Sequence, residues 1–283
     1  MTTQIQTPLR GKVTLLGVLR SEVIRMFALK STGILIALAV VLYVAISAGA
    51  TWAVGSLLEN MGDPSQMQGM EGMGVMSDPG FASETLGSGL VFNQLILGVL
   101  GVLLFSGEFT TGSAVSTFLA SPQRLRVLTA KTILTVVLTG VIQVISTLIA
   151  FIVSKPIAEN YNMTLEFVSS SFQSVLWYGT LAVIMAALIG LALGVLLRSS
   201  AGGITVLAGV FFVLPIIISI FGSYVDWMSN VSAFLPDQLG MSLATPLSVP
   251  TDLELWQQLL GVAGWIVLPL TAGGILLAKR DIK

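Results

Sequence analysis

Few residues in this chain are equipped for chemistry. It contains no histidine and no cysteine, which removes the imidazole and thiolate nucleophile systems, the usual zinc ligands and the commonest proton relay. No GxxxxGK[ST] phosphate loop is present, so the chain does not bind ATP in the P-loop manner. What stands out is one acid followed by bases. Glu108 precedes Arg124, Arg126 and Lys131 within GVLGVLLFSGEFTTGSAVSTFLASPQRLRVLTAK, from Gly98 to Lys131. The stretch opens as apolar helix and stops at Gly107-Glu108. Val115, Phe118 and Leu119 then fall at i, i+3 and i+4, on one helical face. Ser121-Pro122 supplies an N-cap and a first-turn proline for the next helix. The spacing predicts a short helix over 110–121 at the water boundary, a rigid handle joining two spans. A carboxylate ahead of such a helix is favoured by the helix dipole, and Glu108 is within reach of Arg124 or Arg126. A second cluster is softer: Met67, Met70, Met73 and Met76 recur every three residues. Thioether sulfur suits Cu(I), while the surrounding glycines suit a flexible loop of adaptable side chains.

The elements that position these groups are membrane helices. The chain has 283 residues, 54% of them hydrophobic and 10% charged, against about 25% charged in a soluble domain. The expected fold is all-α and polytopic, a single transmembrane domain over 1–283. Six uncharged runs meet the requirement of about 20 apolar residues per span, at 31–58, 86–107, 132–154, 172–197, 199–224 and 255–278. Ahead of them, 11–30 reads as an amphipathic helix on the membrane surface. Leu16, Leu19, Val23, Met26 and Phe27 form its apolar face, with Lys12, Arg20, Glu22 and Arg25 polar. Lysines and arginines cluster before span one, between spans two and three, at Arg198, and after span six. The other three loops hold one base, Lys155, and many acids. By the positive-inside rule both termini are cytosolic, and Trp52, Trp177, Trp227 and Trp256 mark the outer interface. Ala182, Ala186, Gly190 and Gly194 in span four, and Ala45, Gly49 and Ala53 in span one, form small-residue stripes that admit close helix packing. Pro215 and Pro269 predict kinks. The segment around FLPDQLGMSLATPLSVP predicts small helices or a partly re-entrant cap over the outer leaflet.

None of the six runs contains Asp, Glu, Lys or Arg, and no internal repeat relates the two halves. Both facts argue against an autonomous secondary transporter. The chain resembles an export-type (type-two) permease of the ATP-binding-cassette (ABC) superfamily. The likeness rests on Gly107, Glu108, Phe109, Gly112, Leu119, Pro122, Arg124 and Ala130-Lys131. Leu197-Arg198-Ser199-Ser200-Ala201-Gly202, Phe234-Leu235-Pro236 with Gly240, and Arg280-Asp281 extend it over nearly the whole chain. The resemblance implies a permease subunit in a bacterial plasma membrane, paired with a second permease chain, with a separate cytosolic ABC ATPase under each. ATP and Mg would then be bound by that partner, none by this chain, and nucleic acid plays no part. It implies a coupling helix over 110–121, with Glu108, Gly112, Val115, Phe118, Leu119, Pro122 and Arg124 at the ATPase contact. It also implies a pathway walled by spans two and five, with Asn93 and Gln94 facing it or hydrogen-bonded to neighbouring helices. The alternative is a channel or secondary transporter working without an ATPase. The long Met- and Gly-rich first outer loop departs from the pattern and leaves the substrate class open.

Overall fold

The computed structural model describes residues 15–28, 30–61, 78–110, 112, 124–222 and 231–279. Within them every regular element is a helix: α1 (Leu15–Ala28), α2 (Lys30–Met61), α3 (Phe81–Glu84), a 3-10 helix (Thr85–Gly89), α4 (Leu90–Thr110), α5 (Arg124–Asn160) and α6 (Ser170–Leu197). Then follow α7 (Ser200–Ala208), a π-helical turn (Gly209–Val213), α8 (Leu214–Gly222), α9 (Pro236–Ala244) and α10 (Leu255–Lys279). Six helical segments are long and apolar enough to cross a membrane: Lys30–Asn60, Phe81–Phe109, Leu125–Asn160, Ser170–Leu197, Ser200–Gly222 and Leu255–Lys279. This is the architecture of a multi-pass membrane protein.

The expected spans all fall on these segments, with two shifts. The second starts earlier, at Phe81, and opens through the 3-10 helix. The third extends well beyond 132–154 at both ends. At 37 residues α5 is about 55 Å long, against a hydrocarbon core of about 30 Å. The helix runs unbroken from Arg124 through Lys131, whose buried charge is paired with Glu22 and Glu108.

The bundle is built around α6. Of its most apolar 18 residues 72% are buried, against 11% for α10. The small-residue stripe of span four explains this. A Cβ added at Gly190 would lie 2.1 Å from the carbonyl oxygen of Gly98, and one at Gly101 would lie 2.1 Å from that of Ala187. Helices α4 and α6 thus meet backbone to backbone, which only residues without side chains permit. The stripe in span one behaves differently. Ala45, Gly49 and Ala53 face outward, and a Cβ on Gly49 would touch nothing. Helix α2 instead packs through Ala39, Tyr43, Ser47 and Thr51. Ser47 Oγ donates to the carbonyl of Leu86 at 2.8 Å, and the hydroxyls of Thr51 and Thr85 lie 2.7 Å apart. Polar groups that satisfy the 3-10 backbone outcompete the smaller apolar face.

The two ends of the bundle differ in charge. Arg20, Arg25, Lys30, Arg126, Lys131, Arg198 and Lys279 lie at one, called here the basic end. Glu59, Asp78, Glu84, Glu159, Glu166, Asp252 and Glu254 lie at the other, the acidic end. Trp52, Trp177 and Trp256 are exposed near the acidic end. There α9 forms the small cap expected from its Pro- and Gly-punctuated sequence. Pro236 starts it, and Leu239, Gly240, Leu243 and Ala244 are buried. Ser242 Oγ donates to Gln258 Oε1 of α10 at 3.1 Å. Glu84, itself buried, accepts from the backbone N–H groups of Leu247 and Ser248 at 2.8 and 2.7 Å and from Ser248 Oγ at 2.7 Å.

Candidate functional site

Glu108 sits in the last turn of α4 at the basic end, 3% exposed. Its Oε1 lies 2.6 Å from Lys131 Nζ of α5 and 2.8 Å from the Arg25 guanidinium of α1. Lys131 Nζ donates in turn to Glu22 Oε2 at 2.6 Å and to the carbonyl of Leu104 at 2.9 Å. Two of the ammonium's three protons go to Glu22 and the Leu104 carbonyl, and Glu108 adds an ion-pair contact. Glu22 and Glu108 against Arg25 and Lys131 give a neutral knot of two acids and two bases. The α4 C-terminus adds a negative dipole end that favours the lysine.

The knot bears on two expectations. Glu108 pairs with Arg25 and Lys131, two bases that were not among its expected partners, because α5 turns its Lys131 face toward α4. On α1, Met26 of the expected apolar face is buried, Leu19 half-buried and Val23 exposed, while the side chains of Leu16 and Phe27 lie outside those described; Val18 and Glu22 join Met26 in the packed row at i, i+4 and i+8. The signal was present in the sequence: Glu22 is flanked by apolar residues four positions to either side.

Of the other coupling candidates, Gly112 has φ +69°, a left-handed conformation suited to glycine, and its N–H reaches the Phe109 carbonyl at 3.3 Å. This is a sharp turn just past Glu108. Arg124 opens α5. Val115, Phe118, Leu119 and Pro122 lie outside the described residues, as do Met67, Met70, Met73 and Met76. Among the described residues no group of three or more acids is placed to hold a metal ion.

Asn93 and Gln94 lie inside the packed chain, at 1% and 0% exposure. Asn93 Nδ2 donates to Gln143 Oε1 of α5. Gln143 Nε2 donates to Thr147 Oγ1 at 3.0 Å, and Thr147 Oγ1 donates to the Tyr43 hydroxyl of α2 at 3.2 Å. Asn93 is therefore one end of a polar chain joining α4, α5 and α2. Gln94 points the other way, its amide against Gly240 of α9, and neither of its amide atoms has a hydrogen-bond partner. In the packed chain both residues face neighbouring helices.

Asp237, in the first turn of α9, is a buried acid that the reading of the runs passed over. Burial pushes its carboxyl above the usual carboxylate range, partly offset by a hydrogen bond from Gln238.

No family model matches the chain, and no curated protein matches it.

Proposed function

We propose that this chain is the membrane-spanning subunit of an ATP-driven ABC-type exporter. Two copies form the substrate pathway, and a separate cytosolic ATPase that binds ATP and Mg docks beneath each. The basic end then faces the cytosol with both termini, the acidic end faces outward, the membrane is a bacterial plasma membrane, and α1 lies along its inner surface. The chain itself is not an enzyme.

The observation that carries the reading is the buried four-charge knot. It ties α1, the end of α4 and the start of α5 into one body at the boundaries of segment 110–121. An ATPase that displaces this segment would move α4 and α5 together. Without the knot, the same push would be absorbed by the two helix ends. The acidic end, by contrast, is held by hydrogen bonds to a cap, as suits a part that opens and closes.

Two experiments test this. Cysteine labelling in intact cells should mark Asn160 and Glu254 from outside, and Gln123 and Lys283 only after permeabilisation; the absence of native cysteine keeps the background clean. Labelling of Gln123 from outside would overturn the topology. Phe118→Ala with Leu119→Ala removes two apolar side chains worth about 1.5–3 kcal/mol each when buried. The variant should stay folded in detergent yet lose co-purification with the ATPase partner. Unchanged co-purification would refute 110–121 as the coupling helix.

Asp237 is the one feature that favours the alternative, a transporter working without an ATPase. It is a buried acid with an unpartnered oxygen, a group that could take up and release a proton, although it lies in the cap and not in a span. ATP-independent, pH-gradient-driven uptake or efflux by the purified chain in vesicles would establish that reading instead.

A further inference from the structure

Span five is one helix whose two halves differ. Its basic-end half, α7, and the turn that leads into it are fastened to α4 by three rungs on one face of α4. At Gly203 an added Cβ would lie 2.5 Å from Val102 Cγ1, so α7 and α4 are in intimate contact. Four residues along α4, the hydroxyls of Ser106 and Ser200 lie 2.9 Å apart. Three further on, the Arg198 guanidinium carbon lies 5.2 Å from the centre of the Phe109 ring, within cation–π range. The turn that presents Arg198 and Ser200 is itself fixed. Arg198 adopts φ +51° with its N–H on the Gly194 carbonyl, and Ser199 Oγ caps α7 by accepting from Gly202 N.

The other half is far less buried: of α8, only Ile218 is buried, and Ile216, Ile217, Ile220 and Phe221 are exposed. Between the halves the helix passes through the π-turn Gly209–Val213, followed at once by Pro215. Proline has no N–H to give the carbonyl four residues back, that of Phe211. A π-turn further loosens the ladder, and such turns gather at functional sites.

We infer that Phe109, Ser106, Arg198 and Ser200 are positioning residues that make the inner part of span five move with α4 as one body, and that α8 pivots against it at Gly209–Val213. This rests on the coupling reading and extends it. Displacement of the segment after Glu108 would reach span five through Phe109 and Arg198, and emerge at the acidic end as a swing of α8. Phe109 is adjacent to Glu108, so a single turn of α4 serves both the charge knot and this ladder.

The test uses the whole chain in lipid nanodiscs, with nitroxide pairs on exposed positions: Ile133 with Val206 for the basic-end half, and Ile152 with Ile220 for the other. Distance distributions by pulsed electron resonance should be narrow for the first pair and at least twofold broader for the second. Phe109→Leu with Ser200→Ala should broaden the first pair toward the width of the second, whereas Phe109→Tyr, which keeps the ring, should not. Equal widths in the parent chain would remove the pivot. An unbroadened first pair in the double variant would remove the positioning role. The measurement uses no ATPase, so loss of the coupling reading by co-purification would be a separate result.

Discussion

Lys131→Met takes the only fully buried cation out of the knot while keeping the volume of its stem. It leaves two buried acids, Glu22 and Glu108, beside the partly exposed Arg25. Arg25 is a poor replacement for the lysine: its side chain is 33% exposed and its ion pair is with Glu108. Breaking a buried ion pair from one side costs about 3–5 kcal/mol, because the surviving charge is stranded. Pairs with a solvent-exposed member are worth about 0–1 kcal/mol. Lys131→Met should therefore lower the melting temperature in detergent by roughly 10 °C, at about 2–4 °C per kcal/mol, and Arg25→Gln by no more than a few degrees. Adding Glu22→Gln and Glu108→Gln to Lys131→Met should recover most of the loss, since the stranded charges go with it. Additive losses in the triple variant, or a melting temperature for Lys131→Met within about 2 °C of the parent, would refute the knot as a coupled unit.

Three further predictions concern other parts of the chain. Glu84→Ala strips the acceptor from the Leu247 and Ser248 amides, and charge-assisted hydrogen bonds of this kind are worth about 1.5–3 kcal/mol each. Hydrogen exchange over 245–250 should accelerate by at least tenfold while α6 is unaffected; unchanged protection would show that the cap is held elsewhere. Gly101→Ala forces a methyl to 2.1 Å from a backbone carbonyl and should abolish folded yield, whereas Gly264→Ala meets nothing within 4 Å and should be neutral by size-exclusion profile. Equal yields from both would contradict the α4–α6 packing. Asp237 has a folded-state pKa above its unfolded value, so the folded state binds the proton more tightly. Its ionisation costs stability as pH rises above the unfolded value, and the penalty is complete once pH has passed the raised one. Asp237→Asn should therefore melt higher than the parent at pH 7 and converge with it in acid; a lower melting temperature at pH 7 would show that the carboxylate is needed charged.

Six spans, their order and their charge sidedness were legible in the sequence because each is a one-dimensional property. An apolar run of about 20 residues announces itself, and so does a Pro-started, Gly-bearing segment such as Pro236–Ala244. The span-four stripe was legible for a related reason: small residues at every fourth position have few uses besides close approach. What the sequence could not decide was which of two faces a helix turns inward. Span one carries both Ala45-Gly49-Ala53 and Tyr43-Ser47-Thr51, and the choice fell to the second because the 3-10 helix beside it offers the Leu86 carbonyl to Ser47 and the Thr85 hydroxyl to Thr51. Glu22 read as a solvated charge for the same reason, since the cation that neutralises it lies 109 residues away. The Glu84 contact leaves no trace in sequence at all, as two of its donors are backbone amides, 163 and 164 residues on. Local pattern fixes where helices form, but the partner of a buried charge is set by long-range packing, where desolvation leaves each ion no choice but the nearest counter-charge the fold supplies.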